Sequence, residues 1–192
     1  MKINYTQITY RAGQYSPRKL QQIYRALPPE RKHRIAQVDN PIYREFLTVE
    51  FYLVAKKLNQ PMQQDFAYTK QGKPYFINQK LNFSISHSQD RLVVVFAPNP
   101  IGVDVQHILP FDETVAKRIC NAAELQMIHD SSDPALAFTR LWTQKESLVK
   151  LQGGSLYGDV KNILAFGQQY VMKTYTRRRY VVSVCVENER QS

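Results

Sequence analysis

The stretch "RLVVVFAPNPIGVDVQH" (residues 91–107) lies at the middle of the 192-residue chain. After Arg91 it is apolar through Ala97, the pattern of a strand buried on both faces. "PNP" then breaks the run with turn chemistry. The next seven residues alternate. Ile101, Val103 and Val105 share one face, and Gly102, Asp104 and Gln106 share the other. Those polar residues could be the solvated side of an edge strand. Against that, Asp104 sits between valines and follows a very apolar strand, and a carboxylate buried there needs a partner. Gly102 is expected to admit a ligand close to the backbone.

Both flanks read as alternating helix and strand. On the N-terminal side, "INYTQITY" (3–10) is a strand with a slip in its middle. Ser16 caps a helix starting at Pro17, with Leu20, Ile23, Tyr24 and Leu27 as its apolar face. Asn40 and Pro41 start a longer helix with Ile42, Phe46, Val49 and Leu53 at helical spacing. "FAYT" (66–69) and "NFSISH" (82–87) are strands around the turn "KQGKP" (70–74). On the C-terminal side, "ETVAKRIC" (113–120) and "AAELQMI" (122–128) are helical. Asp133 and Pro134 start a long helix that carries "WTQKESLVK" (142–150). "YVMKTYT" (170–176) and "YVVSVCV" (180–186) close the chain as a hairpin.

One echo links the flanks. Asn40-Pro41 starts a helix ending in "KLNQ" (57–60), and Asp133-Pro134 starts one ending in "KLQG" (150–153), with the same offset from proline to lysine. The expected fold is therefore α+β, a mixed α/β arrangement of two similar, pseudo-symmetric halves. Residues 1–99 and 100–192 would form one compact unit with a ligand cleft between them.

The formal net charge of +10 asks for an anionic partner: nucleic acid, membrane, phosphorylated ligand or acidic protein. The densest basic clusters, "ERKHR" (30–34) and "RRR" (177–179), lack the long tract or interleaved aromatics of a dedicated RNA-binding module. Nucleic acid is thus not the expected partner, although a basic nucleic-acid-binding protein without chemistry is the rival reading. Cys120 and Cys185 have no metal spacing and read as thiols in a reducing compartment. The first 20 residues hold no apolar core of a signal peptide, and no apolar run is long enough to span a membrane, so a cytoplasmic location is expected.

Chemistry-bearing residues stand at three more places. His87 lies between Ser86 and Ser88, a compact donor set for phosphate. Glu146 and Lys150 share a helix face one turn apart, which is also ordinary surface support. A carboxylate from Asp104 and another from Glu146 would together suit Mg²⁺, which takes one or two carboxylates, substrate phosphates and water.

"GKP" (72–74), "FSISHS" (83–88), "IGVDVQ" (101–106) and "WTQKESLVK" occur in that order. Together they resemble the successive motifs of the Sfp-type 4′-phosphopantetheinyl transferases, over about Pro29 to Leu151. The resemblance implies transfer of 4′-phosphopantetheine from coenzyme A to a serine of an apo acyl or peptidyl carrier protein, with release of adenosine 3′,5′-bisphosphate, by a monomer that needs no membrane. It implies Asp104 and Glu146 as Mg²⁺ ligands and Lys150 at the diphosphate, with these three as the catalytic set and Glu146 as the candidate base. It implies Ser86 and His87 at phosphates, His87 near the 3′-phosphate, and Lys73 and Pro74 beside the adenine. Arg31, Arg34 and Arg44 fall at basic positions of the coenzyme A site. One departure stands out. Many members have Asp-x-Glu where this chain has Asp104-Val105-Gln106. Gln106 can still offer a carbonyl oxygen to the metal or hold a metal-bound water. The missing carboxylate keeps open a degenerate relative that binds coenzyme A without transferring.

Overall fold

The computed structural model describes residues 4–62, 65–77, 80–153, 160–166 and 170–188. Residue 3 of the expected first strand lies outside them. Four helices begin on proline, whose fixed φ suits the first helical turn and whose missing N–H would be unpaired there anyway: α1 (Pro17–Ala26), α2 (Pro29–Ala36), α3 (Pro41–Lys57) and α6 (Pro134–Leu151). Ser16, Asn40 and Asp133 cap three of them as expected, accepting from the N–H groups of Lys19, Tyr43 and Leu136. Asp112 caps α4 (Glu113–Ile119), and Asn121 and Glu124 form a capping box on α5 (Ala122–His129).

The strands form two antiparallel three-stranded sheets with one recurring plan. The first contains β1 (Thr6–Arg11), β4 (Asn82–Ser88) and β5 (Arg91–Ala97), in the order β1-β5-β4. The second contains β6 (Ile101–His107), β7 (Tyr170–Thr176) and β8 (Tyr180–Glu187), in the order β6-β8-β7. Each sheet is built from a strand, three helices and two further strands, with the last strand in the centre. The echo at Pro41 and Pro134 therefore falls on matching helices, α3 and α6. The short strands β2 (Ala67–Tyr68) and β3 (Pro74–Tyr75) pair around the "KQGKP" turn. A 3₁₀ segment follows α6 at Val160–Phe166.

The apolar run in β5 is explained by its burial on two sides. Leu92, Val94 and Phe96 face a core under α1–α3 that includes Phe46, Phe51, Phe66, Phe76 and Phe83. Val93, Val95 and Ala97 face Val103, Val105, Val182 and Val184 of the second sheet. Each of these valine, leucine and phenylalanine side chains contributes about 1.5–3 kcal/mol when fully buried. A third core joins α4 and α5 to α6 through Ala116, Ile119, Ile128 and Leu141.

Side chains join the two sheets where β4 meets β6. Ser84, Ser86 and Ser88 accept the backbone N–H groups of Val103, Val105 and His107 at 3.1, 3.2 and 3.1 Å. Alternate residues of β4 thus run in step with alternate residues of β6. Gly102 does not serve a ligand as expected. A Cβ there would lie 1.9 Å from the Ser147 carbonyl oxygen and 2.4 Å from the Leu151 nitrogen. The close neighbour is the backbone of α6, and the absent side chain lets that helix lie on β6. Among the described residues, no helix is long and apolar enough to cross a membrane. Both cysteines are free and buried, and burial pushes their thiols up to about 11 for Cys120 and about 12 for Cys185, so neither is a reactive thiolate.

Candidate active site

A cleft of about 680 Å³ lies over the β4–β6 junction. Ser86, His87, Asp104 and Gln106 line it from the two strands. α6 contributes Trp142, Glu146 and Lys150, α2 contributes Arg31 and Arg34, and Pro74 comes from the β3 end of the short hairpin.

Asp104 is 1% exposed. Its burial is compensated by three donors. Ser86 Oγ and Lys150 Nζ each donate to Asp104 Oδ1 at 2.7 Å, and Gln106 Nε2 donates to Oδ2 at 3.1 Å. Lys150 Nζ also lies 2.9 Å from Ser86 Oγ. Lys150, expected at a diphosphate, rests here on the carboxylate. The alternation that put Asp104 and Gln106 on one face of β6 explains why both reach the cleft.

Glu146 lies one helical turn before Lys150 and lines the same space. Burial raises its pKa above the ordinary carboxyl range; the Asp104 charge adds to the rise and Lys150 opposes it. Among the described residues no hydrogen-bond donor meets this carboxylate, nor does any group of three or more His, Cys, Asp or Glu stand ready for a metal. The donor set is two carboxylates and one amide. That fits Mg²⁺, which takes few protein ligands and fills its shell with water and phosphate oxygens. A cation between Asp104 and Glu146 would relieve the repulsion that raises Glu146.

His87 is wedged beside Tyr43 and Phe46, with ring centroids 4.8 and 5.8 Å away. Burial lowers its pKa, Lys150 lowers it further, and Asp104 opposes both. The imidazole is therefore biased towards the neutral form until an anion approaches. Arg31 is 3% exposed and held on several sides. It donates to the Leu47 carbonyl at 2.9 and 3.2 Å, pairs with Glu50, and stacks over Phe66 at 5.0 Å. Arg34 pairs with Asp65 but keeps 44% of its side chain exposed, so it is the freer cation at this wall.

Two expected ligand contacts sit elsewhere. Lys73 turns its ammonium to the carbonyls of Ile101 (2.9 Å) and Leu151 (3.4 Å), tying the short hairpin to β6 and the end of α6, and burial lowers its pKa to about 8. Its neighbour Pro74 lines the cleft. Arg44 donates to the Val38 carbonyl and lines a separate cavity of about 500 Å³ with Leu20 and Tyr24. It does not line the cleft over Asp104.

Sequence reasoning missed Glu50 and Lys145. Glu50 lies between the buried Val49 and Phe51, and a carboxylate at such a position signals a partner, here Arg31. Lys145 is wholly buried. It donates to Glu124 at 2.7 Å and to the carbonyls of Ile119, Val160 and Lys161 at 3.0, 3.0 and 2.8 Å. It thereby fastens α6 to α4, α5 and the 3₁₀ segment, and nothing local in "WTQKESLVK" distinguishes it from the cleft-facing Lys150.

The part of the chain that carries β6, α6 and the last hairpin also matches a known family. The sequence model of the 4′-phosphopantetheinyl transferase superfamily matches residues 100–185. Over this part of its length the chain is similar to the 4′-phosphopantetheinyl transferase superfamily. Among its relatives, 4′-phosphopantetheinyl transferase gsp of Aneurinibacillus migulanus is 30% identical over 58% of this chain and 47% of its own length. 4′-Phosphopantetheinyl transferase Sfp of Bacillus subtilis is 27% identical over 73% of this chain and 61% of its own. 4′-Phosphopantetheinyl transferase AcpT of Salmonella typhimurium is 31% identical over 64% and 66%. The chain spans about half the length of the first curated relatives it matches, at 47%, 45% and 44%.

Proposed function

We propose that this chain transfers the 4′-phosphopantetheine group of coenzyme A to a serine of an apo acyl or peptidyl carrier protein, as a cytoplasmic monomer. In this reading residues 1–99 supply most coenzyme A contacts, and residues 100–192 supply the metal ligands and the catalytic helix. The convergence of Asp104 and Glu146 from separate segments onto one cleft, with Lys150 and His87 beside them, supports it. Asp104 and Glu146 would hold Mg²⁺, with Gln106 orienting Asp104 beside them. When bound, the ion supplies charge neutralisation to the diphosphate. Arg34 and His87 take the outlying phosphate, and Lys150 moves from Asp104 to the diphosphate oxygens. Glu146, which lines the cleft beside Asp104 and Lys150, accepts the proton of the attacking serine hydroxyl. A bond forms from that oxygen to the β-phosphorus, and the bond to the departing adenosine 3′,5′-bisphosphate breaks. Positioning and charge neutralisation carry most of such phosphoryl chemistry.

The experiment is incubation with coenzyme A, Mg²⁺ and an apo carrier, reading the carrier's mass gain. Asp104→Ala and Glu146→Ala should each abolish the gain while keeping the fold. Wild-type turnover in either variant overturns the metal assignment. A second reading, coenzyme A binding without transfer, is favoured by the amide at Gln106. Tight coenzyme A binding with no mass gain on any carrier would support it.

A further inference from the structure

The β7–β8 turn is built from three arginines in a row. Arg177 N–H donates to the Tyr180 carbonyl at 2.7 Å, and Tyr180 N–H to the Arg177 carbonyl at 3.3 Å, leaving Arg178 and Arg179 as the two turn residues. Two-residue hairpins favour Asn, Asp and Gly because those residues tolerate positive φ. Neither turn arginine has positive φ; among the described non-glycine residues only Asn59 and Gln89 do. The turn geometry thus does not account for the arginines, and three adjacent cations repel one another. All three are exposed, and no carboxylate lies within 4 Å of any of them among the described residues.

Their neighbours extend the patch. The Arg177 guanidinium lies over the Tyr175 ring at 4.8 Å, and that of Arg91 lies over the Tyr180 ring at 5.3 Å. Arg91 and Arg11 are register partners across β5 and β1. Among the described residues the one carboxylate paired within 4 Å of any of these arginines is Asp90, and it is already shared by Arg11 at 3.0 Å, Arg91 at 3.6 Å and His107 at 3.1 Å. The edge thus carries five arginines, two of them paired with one acid, and two guanidinium planes are held in place by tyrosines. Such planes suit carboxylates.

The patch is also tied to the cleft. Ile108 N–H donates to the Arg179 carbonyl at 2.9 Å, two residues beyond Gln106. A macromolecule that presents a group to Asp104 and Glu146 meets this edge beside the cleft. We infer that the β7–β8 turn, with Arg11 and Arg91, docks an acidic face of the protein whose serine is modified. The inference rests on the transferase reading for the partner's identity. A nucleic-acid strand fits less well, because binding single strands relies on open aromatic faces, and here arginines cover the tyrosines.

The test uses the full chain with a fluorescently labelled apo acyl carrier protein, scored by anisotropy without turnover. Wild-type affinity should fall about tenfold between about 50 and about 300 mM salt, since exposed charges are screened over that range. Arg178→Glu with Arg179→Glu should weaken binding about tenfold at the lower salt and flatten the salt dependence. Coenzyme A affinity by calorimetry and the melting temperature should not move. If charge reversal prevents folding, Arg178→Gln with Arg179→Gln reads the same effect at smaller size. Wild-type carrier affinity in a folded variant overturns the inference. So does loss of affinity for labelled oligouridylate with carrier affinity kept, which would assign the edge to nucleic acid. Failure of the transferase reading looks different. The wild type would bind the carrier in the salt-dependent way and never raise its mass.

Discussion

Gly102→Ala adds one methyl group where β6 meets α6. The new Cβ would start 1.9 Å from the Ser147 carbonyl oxygen and 2.4 Å from the Leu151 nitrogen, and ordinary contact begins near 3.4 Å. The strand and helix must separate by about 1.5 Å, because both obstacles are backbone and no side chain can swing aside. Two effects oppose each other. Replacing glycine inside a strand gains about 0.5–1 kcal/mol from lower unfolded-state entropy. Overfilling a tight contact costs about 1–3 kcal/mol, and more where backbone must shift. The second wins, for a net loss of about 2 kcal/mol or a drop in melting temperature of about 4–8 °C. Function should suffer more than stability. Asp104 lies two residues along β6, while Glu146 and Lys150 lie on the displaced helix, and misplacement by about 1 Å can lower a rate about 100-fold. The assay is thermal unfolding together with carrier labelling at saturating coenzyme A and Mg²⁺, well below the melting temperature. A variant that melts and labels like the wild type would refute the close approach of α6 to β6 and the positioning argument built on it.

Three further outcomes are expected. Lys145→Met strips the ammonium from Glu124 and three carbonyls, and breaking a buried pair of this kind costs about 3–5 kcal/mol, which urea denaturation measures; a loss below about 1 kcal/mol would contradict the fastening role. Glu146→Gln should stabilise the metal-free protein while ending transfer. The folded carboxyl titrates above its ordinary 4.5, so the wild type loses stability relative to the variant as pH rises through that raised value, and denaturation curves that stay parallel at all pH values would show that Glu146 bears no such penalty. Coenzyme A binding at pH 6.5 should take up protons, because His87 titrates below 6.5 in the free protein and a phosphate beside it favours the charged form. Calorimetry in buffers of different ionisation enthalpy reads the uptake, and equal uptake with dephospho-coenzyme A would separate His87 from the 3′-phosphate.

Much of the fold is legible because its signals are local. A cap residue followed by proline announces α1, α3 and α6 within a few positions. The alternation in "IGVDVQH" separates a core face from a site face without any knowledge of the neighbours. What the sequence hides is which distant group each polar side chain meets. Lys73 and Lys150 are both cations in quoted motifs, yet one ties carbonyls 28 and 78 residues away, and the other rests on a carboxylate 46 residues away. Gly102 reads as open space in one dimension, and only the packing of α6 reveals that the space is already filled. Arg44 sits one helical turn before Thr48 on α3, and small differences in facing decide whether a residue there looks into the cleft or towards α1. Lys145 and Glu146 are adjacent in sequence, but successive helical residues point about 100° apart, so one is locked into the third core while the other lines the cleft.

The three serines between β4 and β6 bind the evolutionary freedom of the site to that of the fold. Ser86 accepts from Val105 N–H and donates to Asp104, so a single hydroxyl serves both the joint between the halves and the acid in the cleft. A substitution there changes two things in one step, and among the described residues no second hydroxyl takes over either task. The loops and helices of the two halves can vary independently of each other. Along this line they must change together. Variation in the chemistry of such a protein is therefore channelled to positions such as Gln106, which touches the acid yet carries no backbone of the joint with its side chain.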